Sequence, residues 1–192
     1  ADVVKTTHRT QATPTERFRS MPVIARSPTN LTSTLSNGVV MPLVGFGCAG
    51  YVRSPALQDA IDVGYTLFDT AQAQEWYLEE ELGNAIGASK IEREQLFLTS
   101  KLHPRDLGAA RTLEAFPYSL KRLRTTYLDA FLLHYPRCFG DLCPKDADGR
   151  PTEPEGTWRD AWGALEKLYS EGKIRAIGGD RCQRARPRTM AP

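Results

Sequence analysis

The chain has 192 residues, 41% of them hydrophobic and 25% charged, with a formal net charge of +2. That is the size of a single domain with enough apolar material for a sizeable core. The small charge gives no general case for nucleic-acid or membrane binding, and no apolar run approaches the roughly 20 residues that span a bilayer.

Residues 1–34 are rich in Thr and Ser and carry Lys5, Arg9, Arg17, Arg19 and Arg26 against only Asp2 and Glu16. They lack a sustained apolar period and read as a disordered extension, or as the remnant of an organelle transit peptide of similar composition. From Leu35 the pattern becomes regular. Asn37-Gly38 signals a hairpin turn. Residues 43–48 read as a strand. Ala56, Leu57, Ala60 and Ile61 mark one face of a helix, and Gly64 stops it. A second strand follows at 65–69, then a helix marked by Leu78, Leu82, Ala85 and Ile86.

Residues 96–101 form the third predicted strand. Leu113, Phe116, Leu120 and Leu123 recur at steps of three and four, which predicts an amphipathic helix over 109–124. Residues 128–134 are an apolar fourth strand. Trp158, Ala161, Trp162, Leu165 and Leu168 share one face of a helix over 157–170, and a fifth strand covers 174–178. Strands and helices alternate strictly, and the strands are continuous apolar runs. This predicts an α/β fold with a parallel sheet covered by helices. A doubly wound sheet and a β/α barrel both satisfy the pattern.

In either architecture functional residues gather at the C-terminal ends of the strands. Asp69, Lys101 and His134 close three otherwise apolar strands. Burying any one of them without a partner costs several kcal/mol, on the order of the penalty for an uncompensated polar group. Three such strand ends are best explained by convergence into a proton-transfer site.

Several segments carry a more specific resemblance. Leu35-Ser36-Asn37-Gly38 with Met41-Pro42-Leu43-Val44-Gly45-Phe46-Gly47 resembles the opening hairpin and first strand of the aldo-keto reductases. Asp62-Val63-Gly64-Tyr65-Thr66-Leu67-Phe68-Asp69-Thr70-Ala71 resembles their second strand, and Glu79-Glu80-Glu81-Leu82-Gly83 the helix after it. Leu98-Thr99-Ser100-Lys101-Leu102, Leu132-Leu133-His134-Tyr135-Pro136 and Ile174-Arg175-Ala176-Ile177-Gly178 resemble the third, fourth and fifth strands, with Glu166-Lys167-Leu168 and Glu171-Gly172-Lys173 before the last. The resemblance covers 35–178 and implies a (β/α)8 TIM barrel with about five of its eight units present. It also implies reduction of an aldehyde or ketone by hydride transfer from NADPH, with a small-molecule carbonyl substrate, no nucleic-acid or membrane partner and a monomeric full barrel. The implied compartment is the cytoplasm, or an organelle (plastid or mitochondrion) if the N-terminal extension is a transit peptide.

The family's catalytic group is Asp, Tyr, Lys and His. Asp69, Lys101 and His134 match three of them. The family places its Tyr five residues after the Asp, where this chain has Gln74. Counting back from Gly83 implies two extra residues in the loop and makes Tyr77 the proton donor. Its roles carry over as expectations: Tyr donates to the carbonyl oxygen, Lys stabilises the phenolate, Asp holds Lys, and His orients the substrate. Gly47, Cys48 and Ala49, with Asp69, are the expected cofactor neighbours, because small residues let the backbone approach the nicotinamide. The displaced Tyr leaves a second reading open, a non-catalytic nucleotide-sensing or partner-binding subunit on the same fold.

The family's Val-Ser-Asn after the fifth strand holds the nicotinamide carboxamide. Here Gly178-Gly179-Asp180-Arg181-Cys182 stands in its place. The remainder of 179–192 has no apolar period and reads as a divergent, disordered tail, its Arg181, Arg184, Arg186 and Arg188 included. A barrel of this type needs about 250 residues. Cys48, Cys138, Cys143 and Cys182 are sparse and irregular, which predicts reduced thiols and no metal site. His103 is expected to be an exposed loop residue, and the long polar loop 135–157 to shape specificity.

Overall fold

The computed structural model describes residues 31–180. The expectations for residues 1–30 and for 181–192, with the Arg cluster and Cys182, lie outside the described residues. The chain opens with a hairpin, β1 (Thr32–Thr34) and β2 (Val40–Pro42), paired antiparallel with Thr34 opposite Val40. Gly38 adopts a φ of 84° in its turn, which a side chain would oppose. Residues 32–34, expected to belong to the extension, are thus part of a strand, with Thr32 paired to Pro42.

There follow β3 (Gly45–Gly47), α1 (Ser54–Asp62), β4 (Leu67–Asp69), α2 (Glu79–Ala88), β5 (Phe97–Leu102), α3 (Ala109–Arg122), β6 (Ala130–Leu133), α4 (Trp158–Ser170) and β7 (Ile177–Gly179). Local sequence explains several starts. Glu79, Glu80 and Glu81 place negative charge on the first turn of α2, and Thr157 with Asp160 forms a capping box before α4.

Strands β3 to β7 form one sheet, all parallel, in the order β3-β4-β5-β6-β7. Each strand pairs with the next in the chain. A doubly wound sheet reverses its direction at a switch point, and this one never does. The sheet is therefore a single-handed arc of the kind that closes into a (β/α)8 barrel. Within this chain β3 and β7 are its edges.

The pleat sends alternate residues to the two faces. Phe68, Leu98 and Phe131 pack under the helices with Leu57, Ile61, Leu82, Phe116 and Leu165 in the main core. Each fully buried Phe or Leu there contributes about 1.5–3 kcal/mol. On the other face Phe97, Ala130 and Ala176 meet Val39, with Leu35 and Met41 of the hairpin beside them. The hairpin thus plugs the N-terminal end of the arc and leaves the C-terminal end open for chemistry.

An ionic knot ties the same end. The buried Asp129 carboxylate accepts from Arg93 Nη2 (2.7 Å), from Arg175 Nη1 (2.6 Å) and from the Leu98 amide (2.9 Å). The Arg93 guanidinium also lies 4.0 Å from the Tyr127 ring centroid. No helix among the described residues is long and apolar enough to cross a membrane.

Two cysteines depart from the expectation of free thiols. Cys138 and Cys143 form a disulfide in the loop after β6. The five-residue separation leaves a 3-10 turn at Gly140–Leu142 inside the ring, and that turn brings the two Cα atoms to 4.9 Å.

Candidate active site

Asp69 ends β4, Lys101 is the penultimate residue of β5, and His134 follows β6 directly. Parallel pairing in register brings these three strand ends to one rim. Lys101 Nζ donates to Asp69 Oδ2 at 2.7 Å and to the Thr70 carbonyl at 3.1 Å. The lysine side chain is 4% exposed and the aspartate 40%. The ammonium is thus buried beside a carboxylate with one side open to solvent, so neither group is left without a partner.

Tyr77 stands over this pair. Lys101 Nζ lies 5.3 Å from the Tyr77 ring centroid. The Tyr77 and His134 rings meet edge to face at 5.7 Å and 72°. His134 in turn stacks on Tyr135 at 4.8 Å, and Phe139 meets Tyr135 edge-on at 5.2 Å. Phe139 is the second residue of the disulfide ring, so the long loop reaches the rim through an aromatic chain. The Asp180 carboxylate lies 4.0 Å from His134 Nε2.

Gln74, which stands at the five-residue spacing, is elsewhere. It is exposed, and its amide oxygen accepts from Arg122 Nε of α3 at 2.9 Å in the amide orientation that satisfies both groups. Tyr77, three residues further on, stands at the rim instead. Two backbone bonds from the Trp76 and Tyr77 amides to the Ala73 carbonyl, at 2.9 and 3.0 Å, turn the chain there. Tyr77 also bridges to Ala49, and the Trp76 carbonyl accepts from the Gly50 amide at 2.8 Å.

Gly47 pairs with Asp69 and is exposed, and a Cβ built on it meets nothing within 4 Å. Ala49 is exposed as well. Cys48 differs from these two. It is buried, its amide donates to the Asp69 carbonyl at 2.9 Å, and burial, with the Asp69 carboxylate second, pushes its thiol up to about 12. Its backbone lies at the site while its side chain points into the core.

His103 is not the exposed loop residue its position suggests. It is 2% exposed. Its backbone amide donates to Gln72 Oε1 at 3.2 Å, its Nδ1 accepts from the Arg105 amide at 3.0 Å, and its Nε2 lies 3.3 Å from Glu75 Oε2. Burial holds its imidazole down at about 4, so the ring is neutral near pH 7. Arg105 Nη2 also lies 2.9 Å from His103 Nε2, so the Arg105 guanidinium packs between the imidazole and the Glu75 carboxylate. Sequence reasoning missed this cluster, because its members come from two separate loops.

A family model described as the aldo/keto reductase family matches residues 53–179. The glyoxal reductase of Bacillus subtilis is 41% identical over 157 residues, covering 79% of this chain and 50% of the relative. The NAD(P)H-dependent D-xylose reductase I,II of Candida tropicalis is 36% identical, covering 81% and 52%. The solved structure of the aldose reductase from Schistosoma japonicum superposes with a TM-score of 0.67 at 31% identity, covering 78% and 52%. The chain spans about half the length of the curated relatives it matches.

Proposed function

Because the chain belongs to the aldo/keto reductase family, we propose that the protein in its full length reduces a small-molecule aldehyde or ketone to an alcohol, with NADPH as the electron donor. The observation that carries this reading is the convergence of Tyr77, Lys101 and Asp69 with His134 on one strand-end rim. A phenol beside an ammonium, itself tethered to a carboxylate, is a group able to give up a proton to a developing alkoxide.

Each residue then has one task. The Tyr77 hydroxyl donates its proton to the carbonyl oxygen. The Lys101 ammonium favours the phenolate left behind, because opposite charges attract strongly where water is scarce. Asp69 holds that ammonium in place. The His134 imidazole, set by its stack on Tyr135, orients the carbonyl by hydrogen bonding. The cofactor supplies the hydride. Open space at Gly47 and Ala49 fits a flat ring lying against the backbone beside Asp69. The xylose reductase relative is named for use of NAD(P)H, which supports a nicotinamide donor here.

The test is Tyr77→Phe in the full-length protein, assayed by NADPH oxidation with aldehydes and ketones. Turnover should fall by roughly 10²–10⁴-fold while NADPH affinity is kept. Turnover within a few-fold of wild type would place the proton donor elsewhere. NADPH binding without turnover in the wild-type protein would favour a nucleotide-sensing subunit.

A further inference from the structure

The turn 73–77 that delivers Tyr77 is held from both sides. On one side the Gly50 and Tyr51 amides donate to the Trp76 carbonyl, at 2.8 and 3.2 Å, and the Tyr51 hydroxyl donates to the Glu75 carbonyl. On the other side the hold is made by a side chain. The Glu75 carboxylate takes a salt bridge from the Arg105 guanidinium and faces His103 Nε2. His103 and Arg105 belong to the loop after β5, the strand that also carries Lys101.

This hold is itself anchored. The Gln72 amide nitrogen donates to the Ala115 carbonyl and to Ser119 Oγ of α3, both at 3.0 Å, while its oxygen receives the His103 amide. Gln72 and His103 are buried, so their bonds are shielded from water and their positions are well determined. Glu75 is the only side chain of the turn's outer face that reaches this anchor through an ion pair. It stands two residues before Tyr77.

We propose that Glu75, gripped by Arg105 beside the buried His103, is a positioning residue that sets the Tyr77 hydroxyl against Lys101 and His134. The inference rests on the reading of Tyr77 as proton donor. A loop two residues longer than the usual spacing has more conformations to choose among, and a fixed attachment from the Lys101 strand removes that freedom. Glu75 touches neither Lys101 nor His134 and acts only through the turn.

The experiment is a double-mutant cycle in the full-length protein, with NADPH-dependent carbonyl reduction as the readout. Glu75→Ala should lower kcat roughly 10- to 100-fold, the scale of a misplacement of about 1 Å, with the NADPH Kd kept within about twofold. Glu75→Gln keeps one acceptor oxygen for the Arg105 guanidinium without the ion pair, and should recover part of the loss. The solvent deuterium isotope effect on kcat should rise in Glu75→Ala, because a misplaced donor makes proton transfer slower. In a Tyr77→Phe background, Glu75→Ala should cost nothing further. An equal loss in both backgrounds, or unchanged kcat and isotope effect in Glu75→Ala, overturns the inference and leaves the Tyr77 assignment standing. Full activity of Tyr77→Phe overturns both.

Discussion

Asp129→Asn removes one charge from the ionic knot at the N-terminal end of the sheet and changes its shape very little. In the wild-type protein the carboxylate is 0% exposed and receives both guanidiniums and the Leu98 amide. The amide keeps one acceptor oxygen and turns an NH2 toward a guanidinium, so at least one donor pair is left face to face. Removing one partner of a buried ion pair costs about 3–5 kcal/mol, mostly from the uncompensated charge left behind. Arg93 is 17% exposed and retains the Leu96 and Tyr127 carbonyls, which moderates its share. Arg175, at 9%, carries most of the penalty. A loss of about 3 kcal/mol should lower the thermal midpoint by roughly 6–12 °C. Urea unfolding followed by circular dichroism measures it. The triple replacement Arg93→Met, Asp129→Leu, Arg175→Met should recover a large part of the loss, since all three charges then leave together. A loss below about 1 kcal/mol for Asp129→Asn would refute the claim that the knot is dry and mutually dependent.

Two further outcomes concern stability. The folded state holds His103 neutral down to about pH 4, whereas the unfolded chain protonates it near 6.5, so its contribution is complete above pH 6.5 and is lost as the pH falls toward 4. The full difference corresponds to about 3 kcal/mol, and unfolding free energies of wild type and His103→Gln at pH 7 and pH 4.5 should diverge accordingly, parallel pH curves being the contrary result. Gly83→Ala would set a Cβ against the Arg122 carbonyl oxygen, a backbone atom that yields only if α2 and α3 separate. Overpacking of about 1–3 kcal/mol should exceed the helix-propensity gain of up to about 1 kcal/mol, and a raised urea midpoint would contradict that balance.

The β/α alternation was legible because each strand is a short apolar run bounded by turn residues, and because Leu113, Phe116, Leu120 and Leu123 keep helical spacing. Periodicity alone left the choice between barrel arc and doubly wound sheet open, since strand order depends on which side every crossover packs, and the resemblance to the aldo-keto reductases supplied the barrel. Asp69, Lys101 and His134 stood out as polar ends of apolar strands. Tyr77 emerged only by counting back from Gly83, whose lack of a side chain marks the α2–α3 contact. Nothing near His103 announced its burial, because Glu75 and Gln72 reach it from another loop. The Cys138–Cys143 pairing was equally silent, as a separation of five residues leaves the Cα distance to the turn between them.

The hairpin also bears on the order in which the molecule is made. In the parallel sheet every strand bonds to its successor, so each pairing closes over a single β/α unit. Asn37 is the exception. Its side-chain amide donates to the Arg175 carbonyl at 2.8 Å, across 138 residues of chain. During synthesis the hairpin emerges before the parallel sheet, yet its resting place on Ala176 is among the last parts of this region to appear. The hairpin must therefore wait, with Leu35, Val39 and Met41 uncovered, until Ala176 and β7 arrive. For that interval the growing chain offers an apolar surface to chaperones, and docking of the hairpin closes it.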